Sequence, residues 1–192
     1  MKRFILNIVN SITSLFKKKE APIFVLDESI LLDVHKYRGL LWEKISQFQE
    51  QLGGLDTAVS HTVGEEQSEG MVDAFPLKHD LNNGLYTREV FMPKGSVVVS
   101  FIHKQDHPSF VLEGDASVLL DDGSIVRYKQ GDKIMTKTGT QRVLFMHEDT
   151  RWACVYRTDA KTVSEAEKDV YANDFTELTE TIISNNRLLW QE

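Results

Sequence analysis

A mainly β domain, a small barrel with helical segments before and after it, is the fold class this sequence predicts. Three observations predict it. Short apolar and β-branched runs recur between residues 75 and 160 at regular turn spacing. The joints between them carry turn signals of their own: Pro93-Lys94-Gly95, Glu113-Gly114, Asp121-Asp122-Gly123 and Gln130-Gly131-Asp132. Outside that span the apolar spacing changes to that of a helix.

The elements follow in order. Residues 1–21 place Phe4, Ile5, Ile8, Val9, Ile12, Leu15 and Phe16 on one helical stripe, with Asn7, Asn10, Ser11 and Ser14 opposite. Lys17-Lys18-Lys19 suits the negative end of a helix dipole, and Pro22 stops the helix. This stripe reads as a docking helix for a partner protein; packing on its own domain or lying on a membrane surface are the alternatives. Residues 22–55 follow as a short strand, Ile23 to Leu26, and a helix from Leu31 to Leu52 ended by Gly53-Gly54. Asp27 or Ser29 can cap that helix. Residues 56–74 are polar and glycine-containing, with Glu65, Glu66, Glu69 and Asp73, and read as a linker.

Within the barrel, residues 75–160, strands are expected at Tyr86 to Met92, Val97 to Ile102, Ser109 to Leu112, Ala116 to Leu120 and Ser124 to Lys129. Lys133 to Thr136, Gln141 to Met146 and Arg151 to Arg157 complete the set. Residues 161–192 turn helical from Ser164, with a second short helix over Thr176 to Asn185 and an apolar end at Trp190.

Composition narrows the function classes. The 192 residues are 41% apolar and 27% charged, enough for a real core. A formal charge of −7 argues against general nucleic-acid binding, which draws most of its affinity from phosphate contacts. The single cysteine, Cys154, cannot form an internal disulfide and sits in an apolar strand, where it reads as a small buried hydrophobe. No run approaches the about 18–20 apolar residues of a membrane span, and no secretion signal is read.

The stretch Gly95 to Gly114 holds the candidate chemistry. It runs strand, polar knot, strand, turn, and the knot is His103-Lys104-Gln105-Asp106-His107. Histidine and carboxylate on a rigid β frame are suited to a first-row metal. The stretch resembles the first motif of the cupin superfamily: Gly, a strand, His-x-His, a Glu, and a strand ending in a Gly turn. Gly131-Asp132 through Arg142 resembles the second motif, and Glu148-Asp149-Thr150 before Trp152 to Tyr156 resembles the closing strand. More narrowly, Phe75-Pro76-Leu77-Lys78-His79, Gly84 to Glu89 and Ile102-His103-Lys104 with His107-Pro108 are similar to small cupin proteins encoded by tailed bacteriophages. The resemblance covers roughly residues 75–160 and implies a jelly-roll barrel, commonly paired into a dimer or higher oligomer.

A cupin metal site takes two histidines and a glutamate from the first motif and one histidine from the second. By that resemblance His103 and Asp106 fall on ligand positions, Phe101 and Arg142 replace two ligands, and His107 is a possible substitute. Catalytic metals typically keep three protein ligands, and a fixed guanidinium repels a divalent ion. The competing reading is a hydrogen-bonded cluster of His103, Asp106 and His107 in which Arg142 pairs with Asp106. Arg142 can also hold a carboxylate or phosphate, and His79, Tyr86 and Arg88 are further ligand-binding candidates from the phage-like signature.

The resulting expectation is a non-enzymatic virion component or assembly accessory, without a resident cofactor. It would be tethered to other phage proteins by residues 1–21 and located in the virion or the bacterial host cytoplasm. The alternatives are a metal-dependent cupin oxygenase or isomerase, using a divalent transition metal, and a small anionic-ligand-binding module.

Overall fold

The computed structural model describes residues 3–6, 27–37 and 41–178. In chain order these form β1 (Arg3–Leu6), α1 (Ile30–Asp33), a 3-10 turn (Val34–Lys36), α2 (Leu41–Leu52), β2 (Ala58–His61) and α3 (Glu69–Ala74). The strands β3 (Leu77–Asn82), β4 (Leu85–Met92), β5 (Val97–Val99), β6 (Ile102–His103) and β7 (His107–Glu113) follow. Then come β8 (Asp115–Leu119), β9 (Ile125–Lys129), β10 (Lys133–Thr136), β11 (Val143–Met146) and β12 (Thr150–Arg157). The chain continues through α4 (Val163–Val170), β13 (Tyr171–Ala172) and a 3-10 turn (Phe175–Glu177).

Two antiparallel sheets make a jelly-roll barrel. One has the order β2-β1-β5-β11-β8-β9 and the other β10-β7-β12-β4-β3. Their inner faces meet in one core, with Val98, Leu144 and Val118 from the first sheet against Met92, Val111 and Trp152 from the second. The turn from β7 to β8 needs Gly114: its φ is 90°, and a Cβ there would collide with the Asp149 carbonyl.

The first sheet is buried on its other face too. Val97, Val99, Leu119, Val143 and Phe145 pack against Ile30, Leu31 and Val34, and against Leu41, Ile45, Phe48 and Leu52 of α2. Those four α2 positions lie on one helical stripe, which is why this segment is helical and why it covers a sheet. Double burial also explains why Val143-Leu144-Phe145-Met146 does not alternate.

The C-terminal segment closes one end of the barrel. Thr162 caps α4 in a reciprocal capping box with Glu165. Ala166 and Val170 of α4, with Tyr171, pack on Val63, Tyr86, Phe101 and Tyr156. β13 pairs with β6, Tyr171 opposite His103.

Several expectations change. Arg3–Leu6 is a strand between β2 and β5, not the start of a helix, because two open sheet edges offer its backbone a ladder on each side. The rest of the docking-helix stripe, Lys17 to Lys19, and the strand expected at Ile23 to Leu26 lie outside the described residues. The single helix expected over residues 31–52 is interrupted by the turn at Val34–Lys36. Residues 56–74 are not a linker: β2, α3 and the buried Val63 and Met71 tie them to the barrel. Residues 75–160 therefore share their core with segments on both sides. The α4 helix is where the sequence placed it, whereas residues 179–192, including Trp190 and most of the second expected helix, lie outside the described residues.

Phe48, fully buried between α2 and the sheet, tests this shared core. Phe48→Ala is expected to cost about 3–5 kcal/mol, against within about 0.5 kcal/mol for the exposed Leu32→Ala. Thermal or urea denaturation of the full chain measures both.

Candidate functional site

The barrel places its inward side chains in layers that change chemistry along its axis. Register fixes them: Tyr86 lies opposite Tyr156, Arg88 opposite Cys154, Val90 opposite Trp152, and Met92 opposite Thr150. On β7, Ser109 lies opposite Cys154 and Val111 opposite Trp152. One end is thus aromatic and hydroxylic, the next layer carries Arg88, Cys154 and Ser109, and the layers below are apolar.

A cavity of about 90 Å³ opens at the boundary between these layers. Its apolar side is Val90, Met92, Val98, Leu144 and Trp152. Its polar side is His61, Arg88, Ser100, His103, Ser109, Thr136, Arg142, Cys154 and Tyr171, with Phe101 beside them.

The two arginines in the wall differ in how they are neutralised. Arg88 forms an ion pair with Glu167, Nε to Oε1 at 3.4 Å, and its guanidinium lies over the rings of Phe101 and Tyr171. Glu167 is only 2% exposed and also binds His61 Nε2 at 3.3 Å and the Gly64 amide at 2.9 Å. Burial alone would raise the Glu167 carboxyl; His61, Arg88 and the Gly64 amide outweigh it and hold it below its ordinary value. The carboxylate is therefore charged and cancels Arg88.

Among the described residues Arg142 has no such counter-ion in contact. Its Nη1 donates to Thr136 Oγ1 at 3.2 Å, and its Nε, buried, has no hydrogen-bond partner among the described residues. The side chain is held by its backbone: the Arg142 amide donates to Ser100 Oγ, and its carbonyl accepts from the Ser100 amide. The Asp121 carboxyl lies within electrostatic reach, and burial pushes its pKa up to about 6, against the pull of Arg142. Thr136 continues the polar chain to Ser109 at 3.2 Å, and Ser109 reaches Cys154 Sγ at 3.4 Å. Burial raises the Cys154 thiol, which makes it a neutral wall group rather than a thiolate.

The residues expected from sequence separate into groups. His103 and His107 come together, ring centroids 4.6 Å apart. His103 Nδ1 meets Tyr156 Oη at 3.1 Å, and Tyr156 donates to Tyr171. His107 donates from Nδ1 to the Gln105 carbonyl, which leaves its buried Nε2 a bare acceptor without a partner among the described residues. Asp106 does not join them. It is half exposed, accepts from Lys137 Nζ at 2.8 Å and from the Thr138 amide and hydroxyl, and so pins the loop after β10. The pairing of Arg142 with Asp106 is thereby corrected: Lys137, free to reach from the rim, takes that carboxylate. His79 stacks on Tyr86 and binds its hydroxyl at 2.8 Å, outside the cavity wall, whereas Arg88 of the same group lines the cavity.

The metal that a cupin resemblance implies does not fit these residues. The contacts of the two neighbouring histidines are the Tyr156 hydroxyl and the Gln105 carbonyl, and the Arg142 guanidinium lies within electrostatic reach of His107. Among the described residues no three His, Cys, Asp or Glu side chains converge as a metal site. Sequence reasoning missed His61, Glu167 and Tyr171, which lie in segments read as linker and tail. It also gave Cys154 no place in a cavity wall. No helix among the described residues is long and apolar enough to cross a membrane.

No family model matches the chain, and no curated protein matches it. Solved structures do resemble it over about half its length. Ectoine synthase from P. lautus has a TM-score of 0.42 at 13% identity, covering 56% of this chain and 84% of that one. A cupin-2 domain protein from Shewanella frigidimarina has a TM-score of 0.36 at 13% identity, covering 43% and 79%. The cupin domain of an XRE family transcriptional regulator from Enterobacter cloacae has a TM-score of 0.39 at 9% identity, covering 45% and 99%. These are likenesses of shape and carry nothing about activity.

Two predictions follow from the buried groups. Burial lowers the His107 pKa to about 4. The unfolded chain takes up this proton near pH 6.5 and the folded chain only near pH 4, so the contribution is present above 6.5 and lost as pH falls through that window. His107→Gln should lose less stability between pH 6.5 and 4 than the wild type; parallel urea-denaturation profiles would contradict this. Glu167→Ala leaves Arg88 and His61 facing a vacated, buried position. It should cost about 3–5 kcal/mol, seen as a lower urea midpoint at neutral pH.

Proposed function

We propose that this chain is a non-enzymatic cupin-fold binding module whose barrel receives a small anion at Arg142. One observation carries the reading: Arg142, a residue only 8% exposed whose Nε has no hydrogen-bond partner among the described residues, stands in the wall of a cavity. A buried cation without a paired anion is costly, and a carboxylate or phosphate oxygen supplies what is missing. The divergence of Asp106 from His103 and His107 supports a module without a resident metal. So does the neutral state of Cys154, which argues against nucleophilic chemistry.

The likeness of residues 75–108 to tailed-phage cupins supports a place in the virion or its assembly, with homo-oligomer formation and docking to other phage proteins as part of the same proposal. Co-sedimentation with purified particles tests that part.

The anion reading is tested by thermal shift against inorganic phosphate and a panel of small carboxylates. At least one is expected to raise the melting temperature of the wild type, as RT ln(1 + [L]/Kd) requires, and not that of Arg142→Gln. A panel without effect on the wild type would contradict it. Elemental analysis of protein purified without chelator is expected to find no stoichiometric transition metal. Metal that is present and lost in His103→Ala would favour the metal-dependent enzyme instead.

A further inference from the structure

The cavity's two sides constrain what the anion is attached to. Arg142, with the hydroxyls of Ser109 and Thr136, faces one side; Val90, Leu144 and Trp152 face the other. The strand register makes this an ordered gradient, because Arg88 and Cys154 share one layer and Val90 and Trp152 the next. A polyanion such as phosphate, seated on Arg142, would press its remaining oxygens against apolar side chains without hydrogen bonds. A neutral ligand would leave the guanidinium unpaired.

Charge counting gives the same answer. Glu167 cancels Arg88 across 3.4 Å, and Asp121 subtracts from the field of Arg142. The polar wall therefore offers at most one net positive charge, which matches a monoanion and disfavours a dianion. Size sets the remainder. The cavity is about 90 Å³, which limits the ligand to a small acid.

We propose that the ligand is a compact monocarboxylic acid with a short branched apolar body, its carboxylate on Arg142 and its body between Val90, Leu144 and Trp152. The proposal rests on the reading that the cavity binds an anion, and adds the class of anion. Shape and charge both enter: the carboxylate meets the guanidinium edge that lacks a partner, and the hydrocarbon displaces water from the apolar layer.

Isothermal titration of the full chain with isobutyrate, acetate, malonate and isobutyramide tests it. Isobutyrate is expected to bind about tenfold tighter than acetate, the gain of two more buried carbons. Malonate and isobutyramide should each bind at least about tenfold weaker than isobutyrate, the one for its second charge, the other for its lack of any. Arg142→Gln should lose isobutyrate by about tenfold or more. Val90→Leu, which narrows the apolar side and keeps the cation, should weaken isobutyrate while leaving acetate within about twofold. Malonate binding as tight as isobutyrate would overturn the single charge, and acetate binding as tight would overturn the branched apolar body; either would leave the anion site standing. No binding of any anion to the wild type would overturn both.

Discussion

Glu167 lies on a C-terminal helix, yet its carboxylate sits in the barrel wall between Arg88, His61 and the Gly64 amide. A buried carboxylate is tolerated only with partners of this kind, so α4 can dock in one register. Docking in that register brings Tyr171 opposite His103 and seals the aromatic end of the barrel with Val170 and Ala166. It also decides the electrostatics of the cavity. Both arginines keep a buried Nε without a hydrogen bond among the described residues, but Arg88 has Glu167 as its ion-pair partner, whereas among the described residues Arg142 has only the Thr136 hydroxyl.

The cavity inverts the usual logic of a barrel that holds a metal. There, anionic and imidazole ligands gather around a bound cation. In this chain the cation is covalently part of the wall, and the carboxylate nearest the histidines in sequence, Asp106, is spent on Lys137 and Thr138 at the rim. On the proposed reading the fixed guanidinium takes its anion from outside, and the apolar layer below it selects what that anion carries.

Much of the fold was legible because strands with one solvent-facing side alternate and their turns carry glycine. β10 alternates in burial along its length, whereas β3, which also alternates but lacks a buried side chain, was not read as a strand. Legibility failed where burial came from both faces or from few anchors. Val143 to Met146 has no period because α2 covers its back. Residues 56–74 are anchored by Val63, Met71 and the strand Ala58–His61 amid acidic and glycine residues, so their composition imitates a linker. Arg3–Leu6 has helical apolar spacing, and only two distant strand edges make it a strand. At the site, Arg142, Arg88 and His103 were visible from motif position. Glu167 and His61 were not, because nothing local in a capped amphipathic helix or a polar stretch announces an ion pair made across about a hundred residues of chain.

The most direct measurement of the central claim is the side-chain Nε–H signal of Arg142 in a two-dimensional nitrogen–proton NMR spectrum. Assignment by Arg142→Lys identifies it, and isobutyrate is then added. The account predicts that this signal shifts as its nitrogen gains a carboxylate partner, while that of Arg88, already held by Glu167, moves little. An Arg142 signal unchanged at saturating isobutyrate, or shifts confined to the surface arginines Arg127 and Arg151, would contradict it.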